Sequence, residues 1–137
     1  MGLFHATLTD FEPPEKTILK IKKNSDNELI TSPTLSFLNW NIGFAGMGEK
    51  SNFFYDSNQS FFFSNGKMVR SPKAFVDENL KGIIDFIQSN LTDFILLQEV
   101  DRSSKRSYYR NQHDLISAGL NGYSQHFAFN YQVARVI

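Results

Sequence analysis

Two short polar motifs close the two most apolar stretches of the chain, and they hold the residues best suited to chemistry. Trp40-Asn41-Ile42-Gly43 ends the run that begins at Leu35, and Gln98-Glu99-Val100-Asp101 ends Phe94-Ile95-Leu96-Leu97. A carboxylate set directly after an apolar strand is costly to bury unless a cation meets it. Mg²⁺ suits that role, because it takes one or two carboxylates, keeps several waters and draws its remaining ligands from substrate phosphate. Asn41 offers a neutral amide that can orient a phosphate oxygen or a carboxylate without adding charge. Open sheets bind ligands at the carboxyl ends of adjacent strands, so the two motifs form one site if their strands are neighbours. Plainer roles stand beside these: Asn41 as an amide closing a strand-end turn, and Glu99 as the ion-pair partner of Arg102 or Arg106.

The elements that must position these residues are legible as periodicities. Thr17 to Lys22 alternates apolar and polar side chains, the period of a half-buried strand; Asn24-Ser25-Asp26-Asn27 reads as a turn, with a return strand over 28–31. Leu35 to Ile42 predicts a stronger strand. The glycine- and serine-rich stretch 43–71 predicts a long loop. Ser71 as cap and Pro72 as first helical residue open a helix whose stripe is Val76, Leu80, Ile83, Ile84 and Ile87. The continuous apolar run after Asp93 predicts a strand buried on both faces. A second helix is predicted from Ser103 or Ser104 to Gly119, with Leu115, Ile116 and Leu120 facing inward and Gly122 as its stop. Residues 123–133 predict a last strand. The order β-β-β-loop-α-β-α-β implies parallel or mixed pairing across the crossover helix.

Composition bounds the class. At 137 residues the chain has room for one domain, and 41% hydrophobic against 20% charged residues supports a packed core. Fourteen basic and fourteen acidic residues cancel, which removes the electrostatic footprint of a dedicated nucleic-acid-coating protein. No cysteine is present, which excludes disulfides, cysteine zinc sites and cysteine nucleophiles. No apolar run approaches the ~18–20 residues of a membrane span. The amino terminus lacks the pattern of a signal peptide, and the expected location stays open between the cytoplasm and export with the signal removed.

The segments Leu38-Asn39-Trp40-Asn41-Ile42-Gly43 and Asp93-Phe94-Ile95-Leu96-Leu97-Gln98-Glu99-Val100-Asp101, with a crossover helix between them, resemble the endonuclease/exonuclease/phosphatase superfamily, the DNase I-like phosphoesterases. Ser104-Lys105-Arg106-Ser107-Tyr108 and Phe127-Ala128-Phe129-Asn130-Tyr131 are similar to a bacterial branch of it, so the resemblance covers most of the chain. It implies an α+β fold, the four-layer α-β-β-α sandwich, with metal and phosphate at one rim. It implies Glu99 as the metal-binding glutamate and Asn41 as the active-site asparagine supporting metal or phosphate. Arg106 and Tyr108 are candidate substrate-binding residues on their own chemistry, since Arg offers a bidentate fork to phosphate, and Asn130 is a third, on the same predicted strand face as His126. Their plainer readings are a solvated helix start for Arg106 and Tyr108, and a satisfied backbone for Asn130. The implied cofactor is Mg²⁺, with Mn²⁺ as a substitute, and the implied reaction is hydrolysis of a phosphodiester or phosphomonoester by metal-activated water. Nucleic acids, phospholipid headgroups and small phosphoesters all fall within that substrate class, and no protein partner is implied.

The sequence departs from the family pattern beyond Glu99. The later Asp-x-Asn and the terminal Asp-His pair do not occur there, and His113-Asp114 has the reversed order. The expectation is that 1–137 is a single, incomplete domain, about the first half of the sandwich and inactive alone, with 1–34 as an amino-terminal β extension. A rival expectation is a non-catalytic binding or partner-assembly module that retains the half-fold. Phe53-Phe54-Tyr55 and Phe61-Phe62-Phe63 predict packing against the rest of a sandwich, or else an apolar lip making peripheral contact with a membrane or stacking a base.

Overall fold

A computed structural model describes residues 14–20, 31, 33–48, 51 and 70–130. The chain divides into two compact units, one formed by Met1–Asp26 with Gly122–Ile137 and the other by Asn27–Asn121. The second unit holds all the regular elements described: strand β1 (Phe37–Asn41), a 3-10 turn (Gly43–Ala45), helix α1 (Lys73–Ser89), strand β2 (Phe94–Gln98) and helix α2 (Gln112–Ala118). It is a small mixed α+β unit in which β1 and β2 pair in parallel, Phe37 opposite Phe94 and Asn41 opposite Gln98.

The parallel pair confirms the crossover inferred from sequence. The helix stripe is also found: Val76, Leu80, Ile83 and Ile87 are buried along α1, each contributing about 1.5–3 kcal/mol on full burial. Ser71 does not cap this helix; its hydroxyl donates instead to the Gly46 carbonyl at 2.6 Å, and Pro72 takes the cap position. Trp40 meets Phe86 of α1 edge-on, ring centroids 5.2 Å apart, which fixes the helix over one sheet face. Gly82 sits mid-helix, where glycine costs about 1 kcal/mol relative to alanine.

Several expectations fail for identifiable reasons. β2 is not buried on both faces, because among the described residues the sheet has two strands and α1 covers one side of it. Phe94 and Leu96 remain exposed, and Phe94 stacks on exposed Phe37 at 4.9 Å. The second helix starts at Gln112 rather than Ser103 or Ser104. Tyr108 and Tyr109 both take left-handed backbone (φ 57), which no α-helix accommodates, and Asn111 supplies the true cap by accepting from the Asp114 backbone N–H at 3.2 Å. This shift in phase leaves Leu115 44% exposed while Ile116 and Leu120 stay buried, and Gly119, not Gly122, ends the helix.

In the other unit, residues 17–20 form no strand, and Ile18 is 97% exposed; residues 21–22 of the predicted strand lie outside the described residues. Residues 123–130 contain a single bridge at Gln125 rather than the predicted strand. The expected turn at 24–27, the return strand over 28–30, both aromatic triplets and the end of the last strand lie outside the described residues.

At the start of the sheet, Asp93 ties the two strands together. Its carboxylate accepts from the Ser36 N–H at 2.7 Å and the Ser36 hydroxyl at 2.6 Å, and that hydroxyl accepts from the Asp93 N–H at 2.9 Å. The Ser36 hydroxyl and N–H hold the Asp93 carboxyl below its ordinary value. Its contribution is therefore complete above the unfolded carboxyl value of about 3.9 and is lost as pH falls through the lower folded value. Asp93→Asn is expected to lower the thermal midpoint at neutral pH. The difference from the parent should narrow as pH falls through the lowered folded value, and a gap that persists undiminished in acid would refute the assignment.

Candidate functional site

Asn41 and Glu99 meet where the paired strands end. A strand continuing past Gln98 would send the next side chain to the sheet face opposite Asn41. Glu99 instead takes left-handed backbone (φ 53), which stops the strand and turns the carboxylate toward Asn41. The Asn41 amide donates to Glu99 Oε1 at 3.0 Å, while its own oxygen accepts from the Gly43 N–H at 2.9 Å. Those two bonds fix the amide orientation, since the reverse would set oxygen against carboxylate and NH₂ against N–H.

The chain leaving β1 is held to the chain leaving β2. Ile42 N–H donates to the Gln98 carbonyl at 3.1 Å and Phe44 N–H to the Glu99 carbonyl at 2.9 Å. Gly43, Phe44 and Ala45 all have positive φ, and a Cβ on Gly43 would lie 3.0 Å from the Met47 Cβ. Four left-handed residues at the joined ends of two strands concentrate backbone strain at this point, a pattern associated with functional sites.

Arg106 lies beside the carboxylate. Its guanidinium forks onto Asp101, Nε to Oδ2 at 3.0 Å and Nη2 to Oδ1 at 2.9 Å, and packs 4.0 Å above the Phe44 ring. The remaining nitrogen, Nη1, stands 3.8 Å from Glu99 Oε2, so the ion-pair reading of Glu99 holds for Arg106 in a loose form. Tyr108 is turned elsewhere: its hydroxyl donates to the Ser71 carbonyl at 2.7 Å, and the Arg70 guanidinium covers its ring at 3.2 Å. Asn130 belongs to the other compact unit, in an exposed bend.

Asn41 and Glu99 open on a cavity of about 650 Å³ whose walls include Trp40, Met47, Ile83, Glu78, Asn79 and Gly82. Ile83 belongs to the α1 stripe; the other three α1 residues lie within one turn, where Glu78 and Gly82, four residues apart, share a helix face. None of the three carries a sequence signal of its own, since helix residues outside the apolar stripe read as solvated surface. Asn79 also donates to the Ala45 carbonyl at 3.1 Å, anchoring the strained turn to α1. Asp77 faces away into a fork with Arg110, Nε to Oδ1 and Nη2 to Oδ2 both at 2.9 Å, and that hydrogen-bonded guanidinium holds the Asp77 carboxyl below its ordinary value.

Among the described residues no three histidine, aspartate or glutamate side chains converge as a ready-made metal cage. The donor set at Glu99 fits a different kind of metal site. It offers one partly exposed carboxylate, oriented by an amide, with open space before it, which matches the habit of Mg²⁺ of binding through one or two carboxylates plus water and substrate phosphate. The sequence matches no protein-family model, and neither a curated protein nor a solved structure matches it.

Proposed function

We propose that this chain carries the metal-binding part of a Mg²⁺-dependent phosphoesterase of the endonuclease/exonuclease/phosphatase type, built as a four-layer α-β-β-α sandwich of which it forms the amino-terminal part. The observation that supports this best is the Asn41–Glu99 hydrogen bond, made where two adjacent parallel strands end and facing an open cavity. In this reading Glu99 holds Mg²⁺, or Mn²⁺ in its place. The bound ion supplies polarisation of a phosphoryl oxygen and stabilisation of the leaving group. Asn41 orients the carboxylate by donating to Oε1 and leaves Oε2 toward Arg106. The Asp101 fork and the Phe44 ring hold Arg106, whose Nη1, only loosely paired with Glu99 Oε2, is suited to a phosphate oxygen. Tyr108, engaged with Ser71 and Arg70, supports the loop rather than the substrate.

The alternative reading, a binding or assembly module without catalysis, draws on the exposed sheet face bearing Phe37, Phe94 and Leu96. One assay separates the two. The protein at its full natural length is incubated with bis(p-nitrophenyl) phosphate and p-nitrophenyl phosphate, with Mg²⁺ and then with excess chelator. Release of nitrophenolate that requires the metal is expected. No release above background from either ester would retire the phosphoesterase reading in favour of the module.

A further inference from the structure

Gly82 is poorly explained by the helix that contains it. It occupies the middle of α1, where alanine is preferred, and among the described residues a Cβ added there would meet nothing within 4 Å. A glycine kept for close helix approach looks different, as Gly119 does, where a Cβ would lie 2.9 Å from Ile84 Cγ2. What Gly82 does face is the cavity of Asn41 and Glu99, between the apolar walls of Trp40, Met47 and Ile83 and the polar Glu78 and Asn79.

We infer that Gly82 is a specificity-determining residue: the space it leaves open receives the organic substituent of a phosphoester, a planar aromatic group lying against Trp40. This deepens the phosphoesterase reading and rests on it for the placement of the phosphate near Glu99. A flat ring suits the site because the indole gives it an aromatic neighbour, and Met47 and Ile83 give it dry surface. Any side chain longer than alanine at position 82 projects from the helix into that space.

The test uses two phosphonates, whose C–P bond is not hydrolysed, so binding is read without turnover. Phenylphosphonate and methylphosphonate are titrated into the full-length protein with Mg²⁺, following the Trp40 indole N–H resonance. Phenylphosphonate is expected to bind about tenfold or more tightly than methylphosphonate and to shift that resonance. Gly82→Leu should abolish the preference by weakening phenylphosphonate alone, with methylphosphonate changed by less than about twofold. Gly82→Gln gives the same test in a side chain of good helix propensity should the leucine variant not fold. Gly82→Ala should raise the thermal midpoint by about 3 °C and keep the preference.

Equal affinity of the two phosphonates in the parent would overturn the inference, as would a preference that survives both bulky substitutions. The underlying reading fails in a different way. If phenyl phosphate is never hydrolysed while the phosphonate preference and its loss in Gly82→Leu are both observed, the cavity assignment stands and the catalytic one falls.

Discussion

Glu99→Gln is expected to lower Mg²⁺-dependent phosphoester turnover by about 10³-fold or more while leaving the fold intact. Glutamine keeps the shape of the side chain and an oxygen to accept from the Asn41 amide, so the hydrogen bond at the strand ends survives. What disappears is the negative charge, the property a hard divalent cation requires. Little stability is at stake. The contact with Arg106 is 3.8 Å long and both side chains are about two-fifths exposed, the regime in which ion pairs contribute about 0–1 kcal/mol. The variant should therefore melt within a few degrees of the parent and need far more Mg²⁺ for whatever turnover remains. Retention of turnover within about tenfold of the parent, at equal Mg²⁺, would remove Glu99 from the metal site. Asn41→Ala should cost less alone and little on top of Glu99→Gln, because an amide that acts by orienting a carboxylate has nothing left to orient once the charge is gone.

The strand ends were legible in the sequence because burial and polarity change there abruptly. Leu35 to Trp40 is mostly apolar and Phe94 to Leu97 wholly so, the first closed by Asn41 and the second by Gln98-Glu99, and parallel pairing brings the two closures side by side. The α1 stripe was legible for a related reason, since its period of 3.6 is strong enough to override local detail. Other features were set by interactions that periodicity does not carry. The left-handed backbone at Glu99, which makes the contact with Asn41, is a property of a single residue at a strand end. Two serines ahead of an apolar stretch suggest a cap for α2, whereas the working cap is Asn111, bonded through its own amide to Asp114. The Thr17–Lys22 alternation is a local pattern, whereas a strand is set by its pairing, and the described part of it, 17–20, forms none. Glu78, Asn79 and Gly82 went unnoticed for a third reason. Residues on a helix read as surface until the helix is docked beside a strand end.

Gln112 is where the largest loss of stability is expected. Its side chain is fully buried and bridges the two segments that leave the strands. Nε2 donates to the Phe44 carbonyl at 2.7 Å, and Oε1 accepts from the Asp101 N–H at 3.0 Å. Its backbone N–H donates to the Asp101 carbonyl at 2.8 Å, so one residue satisfies three groups around the site. Gln112→Met preserves volume and helix propensity but strands the Phe44 carbonyl and the Asp101 N–H. An unsatisfied buried group costs about 1–3 kcal/mol, so a loss of about 2–4 kcal/mol is expected by urea denaturation. Gln88→Met is the matched control. The Gln88 side chain also donates to a backbone carbonyl, that of Gly119 at 2.7 Å, but it is exposed, and water can replace the bond at a cost below about 1 kcal/mol. Equal losses from the two substitutions would show that burial at Gln112 does not set its importance. The consequence also reaches the site, because Phe44 carries the ring beneath Arg106 and Asp101 carries the fork that aims it. When Gln112 releases both, Arg106 loses its placement beside Glu99. The folded fraction of Gln112→Met should therefore show weakened substrate binding as well as lowered stability, whereas Gln88→Met should show neither to a comparable degree.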